Sequence, residues 1–371
     1  MKTIKIQLWY GLLLLGILLG LLTAYRVLIG TGFVLYAKTD ILVWTMPIAA
    51  YVFFSLTSSG LAFVSSIPVV FGIKRYQPLE KRTAFLEIAV LFAAFTCLLL
   101  HLGSPQKLYY YLFSPNIASP LWWLGLLYGL YLIVLLLSFS KIHKAQVSKG
   151  LGIFTFIIAI ATSTALGWLF GLPDARPVYN ANFLAMYFPL TGFGSALAAV
   201  LLFSLAYHHF AKIPLSEGDK NLYNDLSKLF GFVMALTLVF FLWRTIVGGA
   251  SATALEFAGF RHMLGSGWYH LALWVGLVIP LLMLAMASVR QTTGGKVTAA
   301  ALFLVGMFAG RLEMVLSGLV MPTGPKAEAQ PPFVSYWPTI WEVFVFVSAL
   351  AVLLFVYTLG ERNLKLSEVS E

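Results

Sequence analysis

The sequence predicts an all-α integral membrane protein with ten spanning helices, and three observations carry that expectation. Hydrophobic residues make up 60% of the 371 positions and charged residues only 10%, against about 45–50% and about 25% in soluble domains. Mean hydropathy is +0.89. The apolar residues also fall into ten runs, each near the roughly 20 residues that a helix needs to cross a bilayer. Lipid is therefore the solvent for most of the chain. The net charge of +10 is spread through short connections and forms no dense patch, which argues against nucleic-acid binding.

The runs are read, in order, at 8–29, 41–72, 83–102, 121–140, 151–171, 183–211, 229–248, 268–288, 298–320 and 339–359. The first follows Lys2 and Lys5 as a signal peptide would, but continues without a small-residue cleavage site, so it reads as an anchor. With ten spans both termini share one side. Sixteen of the 24 Lys and Arg residues fall on that side and eight on the other, so the positive-inside rule predicts cytoplasmic termini. Three outer connections are long, at 103–120, 249–267 and 321–338. They read equally as a docking surface or as caps over the helix bundle.

The second span places Tyr51, Ser55, Ser59, Ala62 and Ser66 on one helical face. Serines alone suit close packing of helices; Tyr51 is bulkier than packing needs. The fifth span carries Thr155, Thr162, Ser163 and Thr164, which either bond back to their own helix or join Tyr51 in an apolar cleft with a few converging polar groups. His101 closes the third span at the outer surface. It reads as a group for proton exchange or as a simple cap. Trp122 and Trp123 open the fourth span, at the depth of an aromatic belt.

Arg244, His270, Arg311, Glu313 and Glu342 fall in the outer half of the last four spans. An arginine as deep as Arg311 needs a partner, and Glu342 is the expected one. Such charges form either buried ion pairs or part of a proton path. Glu87 is expected a few residues inside the cytoplasmic end of the third span. There it either starts a proton route or snorkels to Lys81 or Arg82. The single cysteine, Cys97, excludes an internal disulfide and a cysteine-ligated cluster, and the six histidines do not face one another across spans as haem ligation requires.

The run HLGSPQKLYYYLFSPNIASPLWWLG, residues 101–125, resembles the NrfD/PsrC family of membrane subunits, in which a related run joins the third and fourth of ten helices. Residues 44–78, with SSGLAF and KRYQPL, and residues 310–344, with GRLEMVLSGLV and YWPTIWEVF, resemble the ten-helix branch. That branch includes the membrane subunit of certain nickel–iron hydrogenases and proteins of alternative complex III.

The resemblance implies two four-helix bundles with two flanking helices: a flanking helix and loop at 1–40, a quinone-binding bundle at 41–172, a second bundle at 173–320, and a loop, flanking helix and tail at 321–371. It further implies a protein of the bacterial or archaeal cytoplasmic membrane with no haem or iron–sulfur cluster of its own. Such a protein exchanges electrons between a quinone, menaquinone or ubiquinone, and a ferredoxin-like iron–sulfur subunit on the outer face. The complex is completed by a molybdopterin, hydrogenase or multihaem catalytic subunit.

Carried onto this chain, the quinone contacts fall nearest Tyr51 and Thr162, where relatives often have histidine. Ser55, Ser59, Ser163, Trp122 and Trp123 complete the expected pocket, with His101 as its titratable group. A secondary transporter, with sites near the midplane on broken helices, and a bare membrane anchor for a peripheral enzyme are the competing readings.

Overall fold

The computed structural model describes residues 2–146, 148–173, 176, 178–179, 181–250, 254–324, 327 and 330–366. Ten helices in it are long and apolar enough to cross a membrane: α1 (Ile6–Gly30), α2 (Met46–Phe71), α3 (Lys74–His101), α4 (Pro120–His143), α5 (Lys149–Phe170), α6 (Asn182–Ala211), α7 (Glu217–Gly249), α8 (Gly267–Ala285), α9 (Thr293–Ser317) and α10 (Ile340–Asn363). The protein is thus an all-α integral membrane protein. Lys326, counted above among the outer cations, lies outside the described residues.

Local chemistry sets the ends of these helices. Pro47 stands in the first turn of α2, and Pro78 in the first turn of the regular α-helical part of α3, Gln77–His101, where the missing N–H costs nothing. Gly72 ends α2 at φ +68°, a left-handed conformation that disfavours a β-carbon. Ser216 and Asp219 close a reciprocal capping box on α7, and Thr339 with Glu342 does the same on α10. The α7 box starts that helix twelve residues before its apolar run, so α7 extends beyond the expected span at the basic end. α8 is wound as a π-helix over Leu271–Val278. The long connection after α7 contains a further helix, Ala254–Leu264.

Burial separates centre from periphery. The most hydrophobic stretch of α2 is 94% buried and that of α6 72%, whereas α1 and α7 reach only 28%. α2 packs on α3, α5, α6, α9 and α10. α3 meets α4 and α4 meets α5, while α6, α7, α8 and α9 contact one another in turn. α10 packs on α3 and carries α1 on its other side.

The two central helices cross at glycines. A β-carbon on Gly60 would collide with the backbone of Gly192, and one on Gly192 with the carbonyl of Leu56. Only hydrogen atoms fit there, which explains the small-residue segments LTSSG and LTGFG of α2 and α6.

Candidate functional site

A file of hydroxyls runs through the helices α2–α5. Tyr51, on the first turns of α2, faces Tyr128 of α4 with ring centroids 6.1 Å apart. Tyr128 in turn stands 6.2 Å from Tyr131, one helical turn further along α4. Ser55 lies beside both Tyr51 and Tyr128, and Ser59 beside Tyr128, close enough for their hydroxyls to interact, although the Ser55 Oγ and the Tyr128 hydroxyl are buried without a well-formed hydrogen bond. Ser59 Oγ and Thr162 Oγ1 are 3.3 Å apart across α2 and α5. Ser163 donates back to the carbonyls of Ala159 and Ile160, as a helical serine commonly does.

Glu87 stands at the next level, level with Ser58 near the middle of α2. Its Oε1 accepts the Tyr131 hydroxyl at 2.9 Å and its Oε2 accepts Ser65 Oγ at 3.3 Å. Ser58 donates to the Glu87 main-chain carbonyl at 3.1 Å. The expectation that Glu87 sits near the cytoplasmic end and snorkels to Lys81 or Arg82 is overturned. α3 starts nine residues before residue 83, and Glu87 is almost wholly buried, only 1% exposed. Arg82 instead pairs with Glu361 at 2.7 Å, and Lys81 reaches the main-chain carbonyl of Lys365.

From Glu87 a cavity of about 30 Å³ leads toward the basic end, past Ser65, Glu80, Ser138 and Thr155 to Lys141. That is room for one or two waters.

The remaining residues expected at the site are distributed around this file. Trp122 and Trp123 donate their indole N–H groups to the carbonyls of Tyr111 and Ile117. They thereby fix the connection before α4, bringing Tyr111 within electrostatic reach of Tyr51. His101 is buried at the end of α3 with its Nδ1 unpaired. Its charged neighbour is Lys38 of the α1–α2 connection, so its surroundings differ from those of Tyr51. Burial lowers the Lys38 ammonium pKa, and the nearby Glu342 opposes that shift. Tyr128 and Tyr131 were not anticipated. They sit three apart inside LLYGLYLIVLLL, where a tyrosine spacing of one turn was the available signal.

The helices α6–α9 hold charges where α2–α5 hold hydroxyls. Arg244 donates to Glu313 Oε1 at 2.6 Å and also touches Met263 Sδ. Arg311 donates to Thr191 Oγ1 and lies over the Phe188 ring, 4.7 Å from its centroid. The expected Arg311–Glu342 pair does not form. Glu342 accepts the main-chain N–H of Thr339 at 2.8 Å and the Tyr336 hydroxyl at 3.1 Å, so its carboxylate is engaged in capping α10. Among the described residues no carboxylate lies within ion-pair distance of Arg311, and no cluster of His, Cys, Asp and Glu is placed to hold a metal ion.

A family profile described as polysulphide reductase, NrfD, matches residues 34–323. The chain belongs to the NrfD family. Among curated relatives, a putative dimethyl sulfoxide reductase membrane subunit of Halobacterium salinarum is 24% identical, over 98% of this chain and 92% of that protein. An Hdr-like menaquinol oxidoreductase integral membrane subunit of Archaeoglobus fulgidus is 23% identical, over 86% and 84%. A subunit of the selenate reductase of Mesobacillus selenatarsenatis is 21% identical, over 85% and 83%. This NrfD chain thus resembles subunits of several oxidoreductases along most of its length. The match begins before α2 and ends after α9, so it includes both the hydroxyl file and the buried charges.

Proposed function

We propose that this NrfD chain is the quinone-reacting membrane subunit of a respiratory oxidoreductase complex, and that the quinone binds in the helices α2–α5 at Tyr51, Ser55 and Tyr128. The observation that carries this reading is the pair of buried hydroxyls on Ser55 and Tyr128 without a well-formed hydrogen bond, beside Tyr51 and the Ser59–Thr162 contact. Quinone carbonyls accept hydrogen bonds, and these clustered hydroxyls are donors that make no well-formed bond to one another. The Archaeoglobus relative, an integral membrane subunit of an Hdr-like menaquinol oxidoreductase, supports the same chemistry.

Reduction of a quinone to a quinol takes two electrons and two protons. The electrons come from, or go to, a neighbouring subunit, and an iron–sulfur protein on the outer face suits that role. The protons have a route in the chain itself. Tyr131 bridges Glu87 to the level of Tyr128, and the cavity below Glu87 reaches Lys141 at the basic end. Glu87 holds a proton in transit, Tyr131 orients its carboxyl, and Tyr51, Ser55 and Thr162 fix the quinone head. His101, at the far end of α3, exchanges protons with the outer side.

In this reading both termini are cytoplasmic, because the basic end of the helices faces the cytoplasm. Residues 41–172 form the quinone-binding unit and 173–320 its partner bundle. A transporter is disfavoured by the position of the buried polar file, which follows one group of helices rather than paired sites on two repeats. The test is equilibrium binding of a quinone analogue to the purified chain, wild type against Tyr128→Phe and Tyr51→Phe. Weakened, saturable binding supports the reading. Unchanged affinity in both variants removes the site from α2–α5, and no binding at all leaves a bare anchor.

A further inference from the structure

A second cavity lies away from this file. A cleft of about 1040 Å³ opens at the end of α9 opposite the basic loops, between the helix Ala254–Leu264, the start of α8 and residues 333–337. Its size is that of a ligand site. Its walls include Phe257, Trp268, Leu316 and Val320, and its floor includes Glu313.

Glu313 is 1% exposed. Arg244 engages Oε1, but Oε2 has no hydrogen-bond partner. A carboxylate oxygen buried without a donor is costly, and the cleft is the space from which a donor can reach it. His262 lines the same cleft and stacks on Phe333 with centroids 4.1 Å apart and planes 5° from parallel. In its neutral form the ring offers one donor and one acceptor nitrogen.

We propose that this cleft binds a hydroquinone, one hydroxyl donating to Glu313 Oε2 and the ring lying among Phe257, Trp268 and the His262–Phe333 stack. Glu313 and His262 beside aromatic walls suit a flat ring with two hydroxyls and an apolar tail, and Arg261, Ser266, Ser317, Ser335 and Tyr336 supply the remaining polar lining. A phospholipid ammonium also donates to a carboxylate, but it brings no ring for the aromatic walls. The choice of a hydroquinone rests on the quinone-linked reading above. The cleft itself does not, and it is separate from the site at Tyr51 and Tyr128.

The test uses the full chain in nanodiscs and a hydroquinone carrying a photoreactive diazirine, with the labelled peptides mapped by mass spectrometry. Saturable labelling of residues 257–271 and 313–337, competed by unlabelled naphthohydroquinone and not by phosphatidylethanolamine, is the expected result. Ala258→Trp, which places an indole on the cleft wall, lowers that labelling about tenfold and spares labelling of α2 and α4. His262→Phe keeps the stack and lowers labelling several-fold, which retains the test if Ala258→Trp does not fold.

Labelling confined to α2 and α4 overturns this second site alone. Equal competition by phosphatidylethanolamine makes the cleft a lipid site and overturns the proposal. Labelling of neither region overturns the quinone reading together with it.

Discussion

The helices α2–α5 and α6–α9 solve the same problem, polar groups inside a membrane protein, in opposite ways. α2–α5 surround the buried Glu87 carboxylate with neutral hydroxyls, Tyr131 and Ser65 donating to it, and keep the buried Glu80 and Arg82 toward the basic end of α3. α6–α9 set guanidiniums against a carboxylate and a hydroxyl, with Arg244 on the buried Glu313 and the buried Arg311 on Thr191. A hydroxyl network can pass a proton by rotating O–H bonds and costs little to desolvate. Fixed opposite charges hold helices in register, and each charge becomes a liability once its partner is lost. The difference teaches that burial of charge alone does not locate a proton path: the carboxylate able to carry one is met by hydroxyls, whereas Glu313 is met by a guanidinium.

The contrast is broken or sharpened most strongly by removing one carboxylate from each side. Glu313→Ala leaves Arg244 buried without a counter-charge and is expected to cost about 3–5 kcal/mol. Glu87→Gln keeps an acceptor for Tyr131 and should cost only about 1 kcal/mol, while quinol turnover falls on the order of a hundredfold. Unfolding in detergent, followed beside turnover in the assembled complex, checks both. If the reverse ranking is found, the assignment of roles to the two regions is wrong.

The joint between the regions comes next. Gly60→Val drives a side chain into the backbone of Gly192 and is expected to destabilise by about 1–3 kcal/mol or more. Gly129→Val, whose β-carbon meets nothing within 4 Å, should leave the melting temperature nearly unchanged. Equal losses at both positions would show that the α2–α6 crossing is not the tight point.

Smaller effects separate individual hydroxyls. Tyr131→Phe deprives Glu87 of one donor and should cost about 1 kcal/mol, with turnover slowed more than stability is lowered. Thr162→Val removes the contact to Ser59 and should cost about 0.6 kcal/mol, detectable by chemical unfolding with a modest rise in KM for quinol.

Much of the fold was legible because hydropathy reports on lipid directly. All ten spans follow from apolar runs, and the central place of α2 was foreshadowed by its serines. Ends were harder where charge masks a helix: NLYNDLSK reads as a connection, yet the Ser216–Asp219 box extends α7 through it. The same effect misplaced Glu87, since Glu80, Lys81 and Arg82 look like a loop but belong to α3. Pairing was the least legible feature. Position along a helix gives depth, so Arg311 and Glu342 seemed to match, but depth says nothing of which side a residue faces. The Thr339-x-x-Glu342 spacing was the capping signal that assigned Glu342 elsewhere. Tyr128 and Tyr131 escaped notice because a tyrosine in a leucine-rich span looks like packing until its hydroxyl is seen to lack, or to find, a partner.

The most direct test of the central claim is quinol turnover by the assembled complex in membranes, wild type against the Tyr51→Phe, Tyr128→Phe double variant. Loss of two hydrogen bonds to the quinone head, at about 1 kcal/mol each, predicts a roughly tenfold to thirtyfold rise in KM with the complex still assembled. Wild-type KM and rate in that double variant would contradict a quinone site among the hydroxyls of α2–α5.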